Sequence, residues 1–198
     1  MLVYIDKKEY EMPPGSSAKD VAEKLHKVAP EQSLAVKING AICDLSSLLH
    51  EGDQLSLIDF TSKEGKEIFW HTSAHVLAQA ILRLFPEAKP TIGPPIEQGF
   101  YYDFANVNIS DADFENIEKE IHKIISENHK PIKHVLTDKR QALQIFKENP
   151  YKCELIESFS EEGVITAYEQ AEFFDLCRGP HLCVGHSANE KAKLLSVY

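Results

Sequence analysis

The chain has 198 residues, a formal charge of −10 and a hydrophobic share of 43%. That is enough for one large domain or two smaller ones with a packed core, and it excludes wholesale disorder. The charge excludes a protein whose main task is gripping a nucleic-acid backbone, which takes many Lys and Arg contacts to phosphate, but not a pocket for the tip of a nucleic acid.

Residues 1 to about 60 read as a unit. "LVYI" and "EYEM" are short strands around "DKK". Ser17 is set to cap a helix, with Asp20 three residues on as in a capping box. Ala18, Val21, Leu25 and Val28 share one face of that helix, and Pro30 closes it. "LAVKINGAICDL" is a hairpin around Asn39-Gly40, and "DQLSLIDF" is a last strand. Strands, a helix, then more strands is the order of a small β-grasp unit. The polar stretch Thr61 to Glu67, "TSKEGKE", is predicted as a linker. Every candidate site residue follows it, so residues 64 to 198 are expected to keep fold and chemistry without residues 1 to 60.

A helix is predicted over roughly Glu67 to Phe85, with a stripe of Trp70, Ala74, Leu77, Ala78, Ile81 and Phe85. His71 and His75 lie one turn apart beside that stripe. Gly93-Pro94-Pro95 forces an extended segment, and "GFYYDF" reads as strand. Ser110 and Asp113 cap a helix carrying Phe114, Ile117, Ile121, Ile124 and Ile125. "IKHVLT" is strand-like, "DKRQALQIFKEN" is a short helix stopped by Pro150, and "GVITAYEQ" and "AEFFDL" are strands leading to Cys177. The fold class is α+β, divided at 1–61 and 62–198.

No run of about 18 apolar residues exists, so no membrane span is expected. "MLVYIDKKEYEM" does not resemble a secretory leader. Cys43, Cys153, Cys177 and Cys183 are too few and irregular for a disulfide framework, which points to reduced thiols and a cytoplasmic setting.

The chemistry-bearing residues are the pair His71 and His75 and the pair Cys177 and His181 around an Arg-Gly-Pro turn. If the pairs meet, they offer a tetrahedral zinc set. Each pair alone is more readily read as chance, since nine histidines invite such pairs. Cys177, His181, Cys183 and His186 form a competing, purely local zinc set, although the spacing is not a common finger spacing.

"HTSAH", "IGPPIEQGFYYDF", "PYKCELI" and "FDLCRGPH" occur in this order, and together they resemble the editing domain of threonyl-tRNA synthetases. That domain is similar to the one in alanyl-tRNA synthetases and free-standing alanyl-tRNA deacylases. The first sixty residues look like the TGS domain that precedes it. The resemblance implies hydrolysis of the ester of serine mischarged onto tRNA(Thr), in cis. It implies that His71 handles the attacking water and that Lys152 positions it or stabilises developing charge. His75 and His181 would complete a polar wall. Cys177 would be a wall or ligand rather than a nucleophile. Asp175 and Tyr102 would contact substrate, and Gly93 and Pro94 would shape the backbone near the terminal adenosine. Arg178 is either a turn residue or a phosphate contact.

The resemblance favours a site without metal. If zinc is present, its ligands would be His71, His75, Cys177 and His181. Nothing after "KLLSVY" matches the aminoacylation core, so the chain is expected to be a fragment. In the family that core uses ATP, magnesium and a zinc and forms the homodimer. The alternatives are a zinc-dependent trans-editing deacylase of the alanyl type and a zinc-stabilised binding module without catalysis. "PPGSSAKD" lacks the spacing of a phosphate-binding loop, and the role of the TGS-like unit is not legible.

Overall fold

The computed structural model describes residues 1–25, 33–136, 138–160 and 163–182. Val28, Pro30, Cys183 and His186, all used in the sequence reading, lie outside the described residues.

Strands β1 (Leu2–Ile5) and β2 (Lys8–Glu11) form the first hairpin, turning on Asp6 and Lys7 at positive φ. Helix α1 (Ala18–Leu25) starts at the expected capping box: Ser17 N–H donates to the Asp20 carboxylate at 2.6 Å, and Asp20 N–H donates to Ser17 Oγ at 3.3 Å. Strands β3 (Ser33–Ile38) and β4 (Ala41–Cys43) turn at Asn39-Gly40, where both residues take positive φ. Strand β5 (Gln54–Asp59) completes a five-stranded sheet in the order β2-β1-β5-β3-β4, with β1 and β5 parallel. Val3, Ile5, Val21, Val36 and Leu55 pack its core. The β-grasp expectation is met.

The expected linker is not a linker. Helix α2 runs from Lys63 to Leu84, and Ser62 caps it by accepting from Gly65 N–H at 3.0 Å. Gly65 serves close packing rather than flexibility, since a Cβ there would overlap the Asp59 carbonyl. The simple apolar stripe also fails. Ile68, Phe69, Thr72, His75, Val76 and Gln79 are buried along with Ala74, Ala78 and Ile81, while Trp70, Leu77 and Phe85 of the predicted face are half-buried, so α2 is a central helix enclosed on several sides. Its core includes Leu34, Ala35 and Ile58 from the β-grasp sheet as well as Ile117, Ile121 and Ile124 from α3 (Phe114–Glu127).

"GFYYDF" is not one strand. Residues 89–105 form two small ladders, with β6 (Lys89–Pro90) paired to β9 (Phe104–Ala105) and β7 (Pro95–Ile96) paired to β8 (Gly99–Phe100). The prolines lack the N–H groups that a longer ladder needs. The Ser110–Asp113 capping box forms on a single 3-10 turn ahead of α3, and Phe114 points to solvent.

Strand β10 (Ile132–Leu136) leads to α4 (Lys139–Ile145), capped by Asp138. Pro150 does not merely stop that helix; it opens another. Helix α5 (Pro150–Ser158) has Asn149 as N-cap, whose side chain accepts from Tyr151 and Lys152 N–H. An Asn-Pro pair at a helix start is a legible signal, because proline suits the first helical position. Strands β11 (Ile165–Gln170) and β12 (Phe173–Leu176) join β10 in an antiparallel sheet in the order β10-β11-β12. The buried amides of Gln79 and Gln170 bond at 2.9 Å, and Arg83 bridges Glu172, Glu120 and Glu127. These ties hold α2 in register against the β11–β12 hairpin and α3. No helix among the described residues is long and apolar enough to cross a membrane.

Candidate active site

The two pairs meet. His71 and His75 come from α2, and Cys177 and His181 follow β12. The Cys177 sulfur lies 2.7 Å from His71 Nε2 and 3.0 Å from His181 Nε2. One potential ligand atom from each of the four residues falls within 4.8 Å of the others. The His75 and His181 ring centres are 4.2 Å apart.

A cavity of about 710 Å³ opens beside this cluster. Its lining includes His71, His75, Gly93, Pro94, Tyr102, Lys152, Asp175, Cys177 and Arg178. His181 is not among the lining residues. It is buried behind the cluster and backs the wall rather than forming it.

Lys152 is no solvated surface lysine. It is 3% exposed, and its Nζ lies 2.7 Å from Asp175 Oδ1. Asp175 is 2% exposed; it accepts Leu176 N–H at 2.8 Å and the Tyr102 hydroxyl at 2.5 Å. A lysine at the third position of α5 is directed inward by the cap at Asn149, whose side-chain amide also donates to the Pro90 carbonyl at 2.8 Å. That bond fastens α5 to the segment carrying Gly93 and Pro94. Buried charges survive when paired and hydrogen-bonded, and Lys152 and Asp175 pair with each other here.

Burial sets the electrostatics. It lowers the pKa of His71, with the Asp175 charge partly opposing. It holds His75 and His181 well below the usual imidazole range, and neighbouring histidines act in the same direction. It pushes the Cys177 thiol up to about 12, against the Gly179 N–H that donates to the sulfur. Tyr102 is raised well above the phenol range by burial and then by Asp175. At neutral pH the cluster therefore holds neutral imidazoles and a protonated thiol, and a thiol is a poor nucleophile.

Two results follow from this packing. The buried, neutral His75 and His181 refuse protons that the unfolded chain takes up below pH 6.5. Above that value folding involves no proton difference at these rings. Below it, stability should fall by up to ~1.4 kcal/mol per pH unit per histidine until the folded values are reached. Denaturant unfolding of wild type and of His75→Gln between pH 7.5 and 5 checks this; equal slopes in both would remove His75 from the effect. Gly93 faces the Tyr102 ring so closely that an added Cβ would overlap it. Gly93→Ala is expected to cost about 1–3 kcal/mol by overpacking. Unchanged stability in urea would mean that the Tyr102 ring moves aside freely.

Three imidazoles and one thiolate are a standard donor set for zinc. In a tetrahedral zinc site, however, sulfur and nitrogen ligands stand about 3.5 Å apart, given the usual bond lengths. The separations at Cys177 are 2.7 and 3.0 Å, so zinc would have to spread these side chains.

Residues 4–59 match the TGS domain family. The chain is 63% identical to the threonine--tRNA ligase of Protochlamydia amoebophila over 89% of its own length. It is 52% identical to that of Chlamydia felis over 91%, and 43% identical to that of Caldanaerobacter subterraneus over 89%. The chain corresponds to the N-terminal part of a threonine--tRNA ligase. It spans 27 to 28% of the length of these curated relatives. That part comprises the TGS β-grasp domain and the α+β region after it, which holds the cluster and the cavity. The α+β expectation and the family resemblance therefore both hold.

Proposed function

We propose that this chain is the proofreading part of a threonyl-tRNA synthetase, hydrolysing the ester that joins serine to the 3′ end of tRNA(Thr). The observation that carries the reading is the buried Lys152–Asp175–Tyr102 network, facing the same cavity as His71 and His75. A structural ion pair has no need of a cavity; a site that must steady charge during ester hydrolysis does.

Proofreading is needed because serine is threonine less one methyl. A synthetic pocket separates the two by only ~1–3 kcal/mol. A second pocket that fits serine and rejects the extra methyl removes the error.

Hydrogen-bond roles in the cluster follow from distance. Thr72 Oγ1 donates to the Ile68 carbonyl at 2.9 Å, so towards His181 Nδ1, at 3.5 Å, it can only accept. His181 then carries its proton on Nδ1 and accepts the Cys177 S–H at Nε2. The sulfur accepts His71 Nε2–H, which leaves the lone pair of His71 on Nδ1. That atom is the general base. Water attacks the ester carbonyl and gives its proton to His71. The Lys152 ammonium stabilises the oxyanion, and the imidazolium returns the proton to the departing ribose oxygen. The four lone-pair positions of Asp175 hold Lys152, Leu176 N–H and Tyr102, so one is left for the substrate's ammonium. The chain, with a formal charge of −10, has no surplus of positive charge for the rest of the tRNA, whose grip falls to other parts of the enzyme.

The same four donors suit zinc, which when bound would supply a Lewis acid; His71, His75, Cys177 and His181 would hold it. The proposed reaction does not use it. Hydrolysis of a seryl ester on a short 3′-end mimic is expected to survive prolonged chelation, with an unchanged melting temperature. Stoichiometric zinc, with activity lost on chelation and restored by zinc, would move the site to the zinc-dependent alanyl type. Stoichiometric zinc without hydrolysis would make it a binding module.

A further inference from the structure

We infer that the TGS domain contributes a positioning residue, Asp44, to the site of the following region. This rests on the deacylase reading of that site. Asp44 lies just after β4, within the residues matched to the TGS family. Both of its carboxylate oxygens reach across to the second region. Oδ1 accepts His181 N–H at 2.9 Å, and Oδ2 accepts the Tyr168 hydroxyl at 2.8 Å.

These partners hold opposite sides of one turn. Residues 177–181 carry the sulfur and imidazole of the cluster, and His181 begins to leave the turn where Asp44 grips its backbone. Tyr168, on β11, lies with its ring centre 4.5 Å from that of His181. A Cβ at Gly179 would overlap the Tyr168 hydroxyl, so the tyrosine fills the inside of the turn. Gly179 N–H in turn donates to Cys177 Sγ at 3.1 Å. A single carboxylate therefore fixes the His181 backbone directly and, through Tyr168, the turn that sets Cys177.

The site does not close without it. Leu182 N–H is taken by Thr72 Oγ1 at 3.0 Å, but no other bond to His181 N–H is made among the described residues. His181 backs His71 through the sulfur. A loosened turn would misplace the base without touching substrate. This places the TGS domain inside the catalytic architecture, and it reverses the sequence-based expectation that residues 64 to 198 keep their chemistry without residues 1 to 60.

The test compares wild type, Asp44→Ala, Asp44→Asn and Tyr168→Phe, all in the whole chain. Two readouts are taken: single-turnover hydrolysis of a seryl-esterified 3′-end minihelix over a range of enzyme concentrations, and the His181 amide and imidazole resonances. Asp44→Ala is expected to lower the saturating rate about 10- to 100-fold, with little change in half-saturation, and to shift and broaden the His181 resonances. Asp44→Asn keeps an oxygen for His181 N–H and should recover most of the rate. Tyr168→Phe removes only the second bond and should give a smaller loss in a variant whose core is undisturbed. A wild-type rate in Asp44→Ala with unmoved His181 resonances overturns the inference. So do equal losses in the Ala and Asn variants that track melting temperature. Absence of hydrolysis in wild type would instead overturn the deacylase reading, while the His181 resonances would still decide whether Asp44 holds the turn.

Discussion

Lys152→Ala should lose both activity and stability. Removing an oxyanion-stabilising donor lowers rate by about 10²–10³-fold. It also leaves Asp175 charged and buried with two neutral partners, and breaking a buried pair on one side costs about 3–5 kcal/mol. The 2.7 Å contact between Lys152 Nζ and Asp175 is what couples the two losses. The double variant Lys152→Met, Asp175→Leu removes both charges. It should regain most of the stability and none of the activity. Recovery of neither would mean that the pair is needed for folding rather than for chemistry, and retention of near wild-type hydrolysis by Lys152→Ala would remove its role.

His71→Ala should lose about 10²–10⁴-fold in rate, the usual share of a general base. Its fold should change little, because His71 is only half-buried beside the cavity and bonds a neutral thiol. The pH profile gives an independent check. The active form is the neutral imidazole, and burial lowers its pKa below 6.5. The single-turnover rate should therefore show an acid limb centred below pH 6.5 and level off towards about pH 8. A limb centred above pH 7, or the same limb in His71→Ala, would assign the titration elsewhere.

Much of the fold was legible because its signals are local. Ser17 with Asp20, Asn39-Gly40 and Ser110 with Asp113 each fix a helix start or a turn within four residues; the first two form as read, and the third forms on a 3-10 turn just ahead of α3. The failures are tertiary, apart from one. Within the polar "TSKEGKE", Ser62 caps α2 and Lys63 opens it, and Gly65 packs against the Asp59 carbonyl, a contact that composition does not encode. The stripe on α2 was too narrow because partners close on it from the β-grasp sheet, α3 and the β11–β12 hairpin. The exception is α5, whose Asn149-Pro150 start was visible and was read only as a stop.

The site divides in the same way. His71, His75, Cys177 and His181 were found by residue type and spacing. Tyr102, Lys152 and Asp175 came only with the family resemblance, since a lone lysine or aspartate carries no sign that it will be buried. Asp44 was not found at all. It lies in the other domain, more than a hundred residues from the histidine it holds, and a single aspartate after a strand has no signature.

Selective removal of serine is measured directly as a ratio of two rates. Seryl and threonyl esters on the same tRNA(Thr) 3′-end minihelix are each exposed to excess enzyme, and first-turnover rates are compared. Threonine's extra methyl must overlap the wall beside Tyr102 or displace the attacking water, and overpacking of about 1–3 kcal/mol corresponds to about 5- to 150-fold. The seryl rate is expected to be higher by at least the lower figure, with the preference lost together with the rate in His71→Ala. Equal rates for the two esters would contradict it, even if both were hydrolysed quickly.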